Sequence, residues 1–358
     1  MARKATQKKL PVALIVVCAV LVALAAFLIV FREPVRCVFY SNVDPRVKLD
    51  VEGEWANGTA YKNVQYSEIS TSDYLNLYVP SVENPPLIVA IHGGGFVLND
   101  CESRQAQLFY QYFRDHGYAV ATVNYRLAQE ASFPGALQDV KAAVRYLRAN
   151  AETYGYNAEK IAVWGESAGG YLAVMTAVTN DDEFNDVPFI GEDALSEPVS
   201  ARVSVLLDYY GAVQLETRAE RVAAFKQLGI PELVVKIASG WLDETLKGTP
   251  YETCEDYWIG ASLASLSQEE KNAFTPAYYV RKNLPGREDL DALICHGDAD
   301  ITVPMSQSLI LYEEMLKTIG DARTQLHLVH NCGHAGEKLF NDENLGAVRA
   351  FLEKALAR

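Results

Sequence analysis

Gly165-Glu166-Ser167-Ala168-Gly169 lies between the apolar run Ile161-Ala162-Val163-Trp164 and the helix-forming Tyr171-Leu172-Ala173-Val174-Met175. A chain that passes from buried strand to helix through five residues must bend sharply, and glycines two positions either side of the serine permit that bend. The pattern therefore predicts a strand–turn–helix unit that lifts a serine hydroxyl above the carboxyl end of its strand. Further short apolar runs at 87–91, 119–123, 203–207, 290–295 and 325–329 alternate with helical patterns. Ala136, Val140, Val144 and Leu147 mark one helix face; Met305, Leu309, Tyr312, Leu316 and Ile319 mark another, beginning near Pro304. This alternation predicts an α/β fold with a mostly parallel sheet covered by helices on both faces. A chain of 358 residues with 49% hydrophobic content is long enough to bury it as one domain.

A nucleophilic serine needs a base for its proton and a carboxylate to orient that base. Six histidines are available. His92, His116, His327 and His330 read as structural, from their places in a glycine loop, at a helix end, and within or beside the run 326–329. His296 and His334 lie just past strand ends, where open α/β sheets present their chemistry. Ser167, Asp300 and His334 satisfy the chain order Ser, acid, His. The acid is the loosest assignment, because Asp298 and Asp300 share the turn His296-Gly297-Asp298-Ala299-Asp300 and either suits a local capping role. Asp208, near the run 203–207, is an outside third. Donors for a developing oxyanion are expected from Gly93, Gly94 and Gly95 of His92-Gly93-Gly94-Gly95-Phe96, directly after Leu87–Ile91, and from the amide of Ala168.

These segments, with Val123-Asn124-Tyr125-Arg126-Leu127, Phe133-Pro134-Gly135-Ala136-Leu137-Gln138-Asp139-Val140, Val303-Pro304 and Gly333-His334, resemble the α/β-hydrolase carboxylesterases of the hormone-sensitive-lipase-like branch, which includes acetyl esterases and feruloyl-esterase-like enzymes. The resemblance covers about residues 60 to 358 and implies that Asp300 is the acid. It also implies a small-molecule or saccharide ester as substrate, with short acyl groups. The chain departs from relatives at about 213–272, a stretch rich in helix formers and in Phe225, Trp241, Tyr251, Tyr257 and Trp258, which is expected to form a lid.

A net charge of −14, from 46 acidic and 32 basic residues, disfavours a nucleic-acid partner. The cysteines form no paired C-x-x-C units and the histidines lack ligand spacing, so no metal site is expected. No dinucleotide-binding glycine fingerprint follows the first strand, so no cofactor is expected either. Leu10 to Phe31 carries no charge over about 22 positions, enough at 1.5 Å per residue to cross a hydrocarbon core of about 30 Å. Its apolar character persists past Ala23-Leu24-Ala25, which favours an uncleaved anchor over a signal peptide. The basic residues near the amino terminus are denser than those after Phe31, which places the short tail inside and the hydrolase domain outside the cytoplasm. The expected organisation is an anchor over 1–31, a stem over 32–55 and an α/β-hydrolase domain over 56–358. Of the cysteines, Cys295 and Cys332 lie near catalytic loops and are the pair a bridge would join; burial as free thiols is the commoner outcome.

Together these readings imply a membrane-anchored serine carboxylesterase. An amidase or peptidase would use the same three residues, and a non-catalytic surface module would lack one of them.

Overall fold

In the computed structural model, which describes residues 20–22, 55–227, 229–238 and 245–358, the six apolar runs stand side by side in one eight-stranded sheet. Its strands are β1 (Gly58–Gln65), β2 (Tyr74–Pro80), β3 (Pro86–Ile91), β4 (Ala119–Val123), β5 (Asn157–Glu166), β6 (Val205–Tyr209), β7 (Asp291–Gly297) and β8 (Thr324–Val329). The order is β1-β2-β4-β3-β5-β6-β7-β8. All pairs from β4 to β8 are parallel, while β1 and β2 join antiparallel at one edge. Alternating side chains feed two separate cores. Val89, Val163, Leu206 and Ile294 point to the layer made by the helices Gly135–Ala149, Ala168–Val178 and Ser306–Thr318. Ile88, Trp164, Leu207 and Leu293 point to the layer made by Arg104–Asp115 and Asp342–Leu356.

The strand order reverses direction at β3, so the carboxyl ends of β3 and β5 are neighbours, with Ile91 opposite Gly165. Ligands bind at such reversals in doubly wound sheets. Here the reversal sets the glycine loop beside the serine turn. The loops after β7 and β8 open on the same edge.

Several expectations shift. β1 and β2 were not legible as strands, and β5 starts at Asn157 rather than Ile161. β6 runs to Tyr209, because Tyr209 is fully buried and its carbonyl accepts the Ser167 N–H at 2.9 Å; Asp208 is thus a mid-strand residue opposite Gly165. His296 likewise lies inside β7, not in the loop beyond it. The helix Ser306–Thr318 turns Gln307, Ser308, Leu311 and Met315 inward, whereas Leu309, Tyr312 and Leu316 are only partly buried. Two polar residues define that face because each satisfies a buried group: the Gln307 side-chain carbonyl accepts the Val213 and Gln214 amides, and Ser308 meets His296.

Within 213–272 the described residues include the helices Arg218–Gln227, Glu232–Ala238, Cys254–Ile259 and Gln268–Asn272. Trp258 is fully buried and stacks on Phe96 at 4.0 Å and 5°, with Tyr171 and Phe133 edge-on to it. Phe225, Ile230 and Val235 pack with Ala299 and Ile301. The insert is therefore held on both the glycine loop and the loop after β7. Trp241 lies outside the described residues, as does the predicted apolar span 10–31 apart from residues 20–22, which are helical. Among the described residues no helix is long and apolar enough to cross a membrane. Cys101, Cys254, Cys295 and Cys332 are free and buried, so the bridge between Cys295 and Cys332 is not formed; burial pushes the Cys295 thiol far above its usual range.

Candidate active site

Ser167 occupies the turn between β5 and the helix Ala168–Val178 with φ 56° and ψ −118°, a conformation that side-chain-bearing residues rarely adopt. Close packing enforces it. A Cβ on Gly169 would run into the carbonyls of Ile91 and His92, so the helix can approach β3 only through a glycine at that position. Ala168 opens the helix, and its amide has no carbonyl one turn back to bond.

His334 reaches the serine from the loop after β8. Its Nε2 is 3.1 Å from Ser167 Oγ and its Nδ1 is 2.7 Å from Asp300 Oδ2. The Asp300 side chain is fully buried and that of His334 is 15% exposed. Burial alone would raise the Asp300 pKa, but the His334 charge and hydrogen bonds from both His296 and His334 hold it well below the usual carboxylate range. Burial would likewise lower the His334 pKa; the Asp300 charge and hydrogen bond outweigh this and carry it above the usual imidazole value, with Glu166 adding in the same direction. This chain of contacts has the order and polarity needed to draw a proton from the serine hydroxyl.

The two competing carboxylates stand elsewhere. Asp298 pairs through Oδ2 with the exposed His330 at 2.7 Å and accepts the Asn331 amide at 2.8 Å, the local capping role. Asp208 is buried against Gly170 and Gly211 and accepts the Gly211 N–H at 3.1 Å. Three of the histidines expected to be structural meet partners of their own. His92 stacks on Tyr125 at 4.3 Å, His116 Nδ1 is 2.7 Å from the Tyr112 carbonyl, and His327 Nε2 is 2.6 Å from Asn344 Oδ1.

The glycine loop departs from expectation in one respect. Gly93 does not offer its amide to a substrate, because that N–H is already donated to Glu166 Oε1 at 2.6 Å. Gly94 and Gly95 take φ of 115° and 61°, and Gly94 approaches the Leu98 carbonyl so closely that a Cβ there has no room. Glu166 was missed as a site residue. Its neighbour in the sequence is the serine, but its partner lies 73 positions away, and nothing in the local pattern reveals the contact. Burial pushes its carboxyl up to about 7, against the pull of the Gly93 hydrogen bond and of nearby His334. Tyr210, also missed, places its buried ring edge-on to the His334 imidazole at 4.8 Å. Arg126 and Asp139 pair at 2.6 Å and tie the loop after β4 to the helix Gly135–Ala149.

The family profile named BD-FAE matches residues 75–315. The chain belongs to the BD-FAE family. The matched region spans the glycine loop, the serine turn and Asp300, and ends before His334. An ethyl acetate hydrolase from Pseudomonas putida is 37% identical over 107 residues, covering 29% of this chain; the chain spans about a third of that relative's length (33%). Solved structures share the fold. A truncated carbohydrate esterase from gut microbiota superposes with a TM-score of 0.64 at 25% identity, over 85% of this chain and 99% of that one. Esterase 2 of Thermogutta terrifontis, solved phosphoramylated by tabun, gives 0.56 at 19% identity over 86% and 97%. The BD-FAE member described here is therefore an α/β-hydrolase in architecture, as its sequence predicted.

Proposed function

We propose that the protein is a serine carboxylesterase that hydrolyses short-chain, acetyl-type esters through an acyl-enzyme, with Ser167 as nucleophile, His334 as base and Asp300 as acid. The observation that carries this reading is the contact chain Ser167 Oγ to His334 Nε2 at 3.1 Å and His334 Nδ1 to Asp300 Oδ2 at 2.7 Å. Ser167 Oγ attacks the ester carbonyl as its proton passes to Nε2, and Asp300 stabilises the imidazolium. The amides of Ala168, Gly94 and Gly95 meet the oxyanion. Collapse breaks the bond to the alcohol oxygen, which leaves with the Nε2 proton; water then gives a proton to Nε2, attacks the acyl carbon and releases the acid and the serine hydroxyl. Likeness to an ethyl acetate hydrolase supports a small acyl group, and likeness to a carbohydrate esterase supports a saccharide as the alcohol. The insert at 213–272 serves as the lid, and the charge-free residues 10–31 anchor the domain outside the cytoplasm.

Turnover of p-nitrophenyl esters of graded acyl length, set beside aminoacyl arylamides, tests the reading. Acetate and butyrate esters are expected to be cleaved fastest, with a steep fall at longer chains and little arylamide cleavage; the reverse preference points to a lipase or a peptidase. His334 must be neutral to accept the serine proton. With its pKa raised, kcat/KM should fall as pH drops through a midpoint above about 6.5. A midpoint below that value contradicts the Asp300 contact.

Gly93→Ala probes the glycine loop. A Cβ at 93 comes within 2.6 Å of both carboxylate oxygens of Glu166, which is buried and cannot withdraw into solvent. The loop must shift, and kcat is expected to fall by on the order of 10²-fold with a smaller change in KM, as when an oxyanion donor is lost.

A further inference from the structure

The acid of this site is held by more than its partner in the proposed reaction. Asp300 and His296 both have side chains at 0% exposure, with His296 Nε2 3.3 Å from Asp300 Oδ2, the same oxygen that His334 Nδ1 meets at 2.7 Å. The other oxygen, Oδ1, accepts the amides of Thr302 at 2.7 Å and Val303 at 3.0 Å. His296 Nε2 also faces the Val303 carbonyl at 3.1 Å. Both neighbours of Nε2 are acceptors, so Nε2 carries a proton. Nδ1 lies 2.7 Å from Ser308 Oγ, and Ser308 is fully buried on the inward face of its helix. The Nε2–H tautomer satisfies every group: Ser308 donates its hydroxyl proton to Nδ1, and Nε2–H is donated to the Val303 carbonyl with Asp300 Oδ2 beside it at 3.3 Å.

From this geometry we propose that His296 is a positioning residue for the reaction assigned above, locked by Ser308 in its Nε2–H tautomer so that its N–H, held by the Val303 carbonyl, stands 3.3 Å from the oxygen of Asp300 that orients His334. The inference rests on the esterase reading for its purpose, though not for its geometry. Two consequences follow. The carboxylate is gripped from both sides, two amides on Oδ1 and two imidazoles on Oδ2, so it cannot rotate away when His334 moves toward substrate. The negative charge of Oδ2 is also shared. His296 draws part of it, which restrains how tightly Asp300 makes His334 hold its proton and eases delivery of that proton to the leaving alcohol.

The charged and titratable groups facing His334 are Asp300, Glu166 and Arg221 of the insert, with the Tyr210 ring at 4.8 Å. Those facing His296 are Asp300 and the Tyr210 ring at 6.2 Å. Of these only Asp300 lies within 3.3 Å of a nitrogen of both imidazoles, so a change at His296 that alters His334 passes through it.

The test is a side-chain NMR titration of His334 in the parent, His296→Leu, His296→Gln and Ser308→Ala, with the His296 tautomer read from its ring-nitrogen shifts in the parent and kcat and KM measured alongside. In the parent, His296 should be the Nε2–H tautomer. In His296→Leu the undivided charge on Oδ2 should raise the His334 midpoint by about 0.5 to 1 pH unit and lower kcat about tenfold with KM little changed. His296→Gln, which restores a donor, should return both toward the parent, and Ser308→Ala should give a smaller shift of the same sign. A purely structural role lowers thermal stability and leaves the His334 midpoint where it was; that result in His296→Leu and Ser308→Ala overturns the proposal. If His296→Leu does not fold, the parent tautomer and Ser308→Ala decide, and an Nδ1–H tautomer in the parent also overturns it. A parent that shows these titrations but cleaves no ester refutes the esterase reading and leaves the placement of His296 standing.

Discussion

Ser167→Ala is expected to lower kcat on p-nitrophenyl acetate by on the order of 10⁶-fold, to the level that the oxyanion donors and substrate binding alone provide. The size of the loss follows from the geometry. Ser167 Oγ is 3.1 Å from the imidazole that removes its proton, and Asp208, the competing carboxylate on the adjacent strand, is sealed against Gly170 and Gly211. Glu166, which ends β5, is buried and its carboxylate is committed to the Gly93 N–H at 2.6 Å. Alanine keeps the backbone and removes one oxygen, so the variant should melt close to the parent and lose labelling by a fluorophosphonate. Retention of more than about one hundredth of the parent kcat in protein that melts normally means that another group carries the acyl transfer. The non-catalytic surface module makes a different forecast: neither parent nor variant labels or turns over.

How far the sequence alone leads is set by whether a residue's reason for being there is local. Ser167 is legible because the turn that presents it needs glycines within two positions. His334 is legible because it lies in the loop after the apolar run 325–329, and the chain order does the rest. Asp300 required the family resemblance, since Asp298 and Asp300 are equivalent as turn residues in the sequence and only the fold sets Asp298 against His330 and Asp300 against His334. The two antiparallel strands escaped notice for opposite reasons. β1 has no buried residue and carries no apolar run, while β2 is buried but interrupted by Asn76, whose side-chain oxygen accepts the Asn63 amide at 2.9 Å across the ladder. Glu166, His296 and Ser308 share a further cause. Each is a buried polar residue whose cost is cancelled by a partner distant in the chain, and periodicity scores such a position as noise. On the helix Ser306–Thr318 that noise displaced the whole predicted face toward Leu309 and Tyr312.

Asp300→Asn should cost about 10⁴-fold in kcat, whereas Asp298→Asn should stay within a few-fold of the parent. The reason lies in how the Asp300 oxygens are already committed. Oδ1 accepts the Thr302 and Val303 amides, so an asparagine can keep those bonds only by placing its own oxygen there and its NH₂ group toward His334. That NH₂ cannot accept the Nδ1–H. The imidazole then turns to the tautomer with its proton on Nε2, the nitrogen 3.1 Å from Ser167, and a protonated Nε2 cannot serve as the base. Loss of the carboxylate charge also removes the main influence that raises the His334 pKa, so the acid-side midpoint of the residual activity should move to lower pH. Activity restored at high pH, where hydroxide substitutes for the base, would fit the same account. Asp298 offers no such lever, because its partner His330 has a side chain 78% exposed and the exchange disturbs only a solvated pair worth about 1 kcal/mol or less. Equal losses in the two variants, with both folded, would mean that the 2.7 Å contact between His334 and Asp300 does not orient the base in solution.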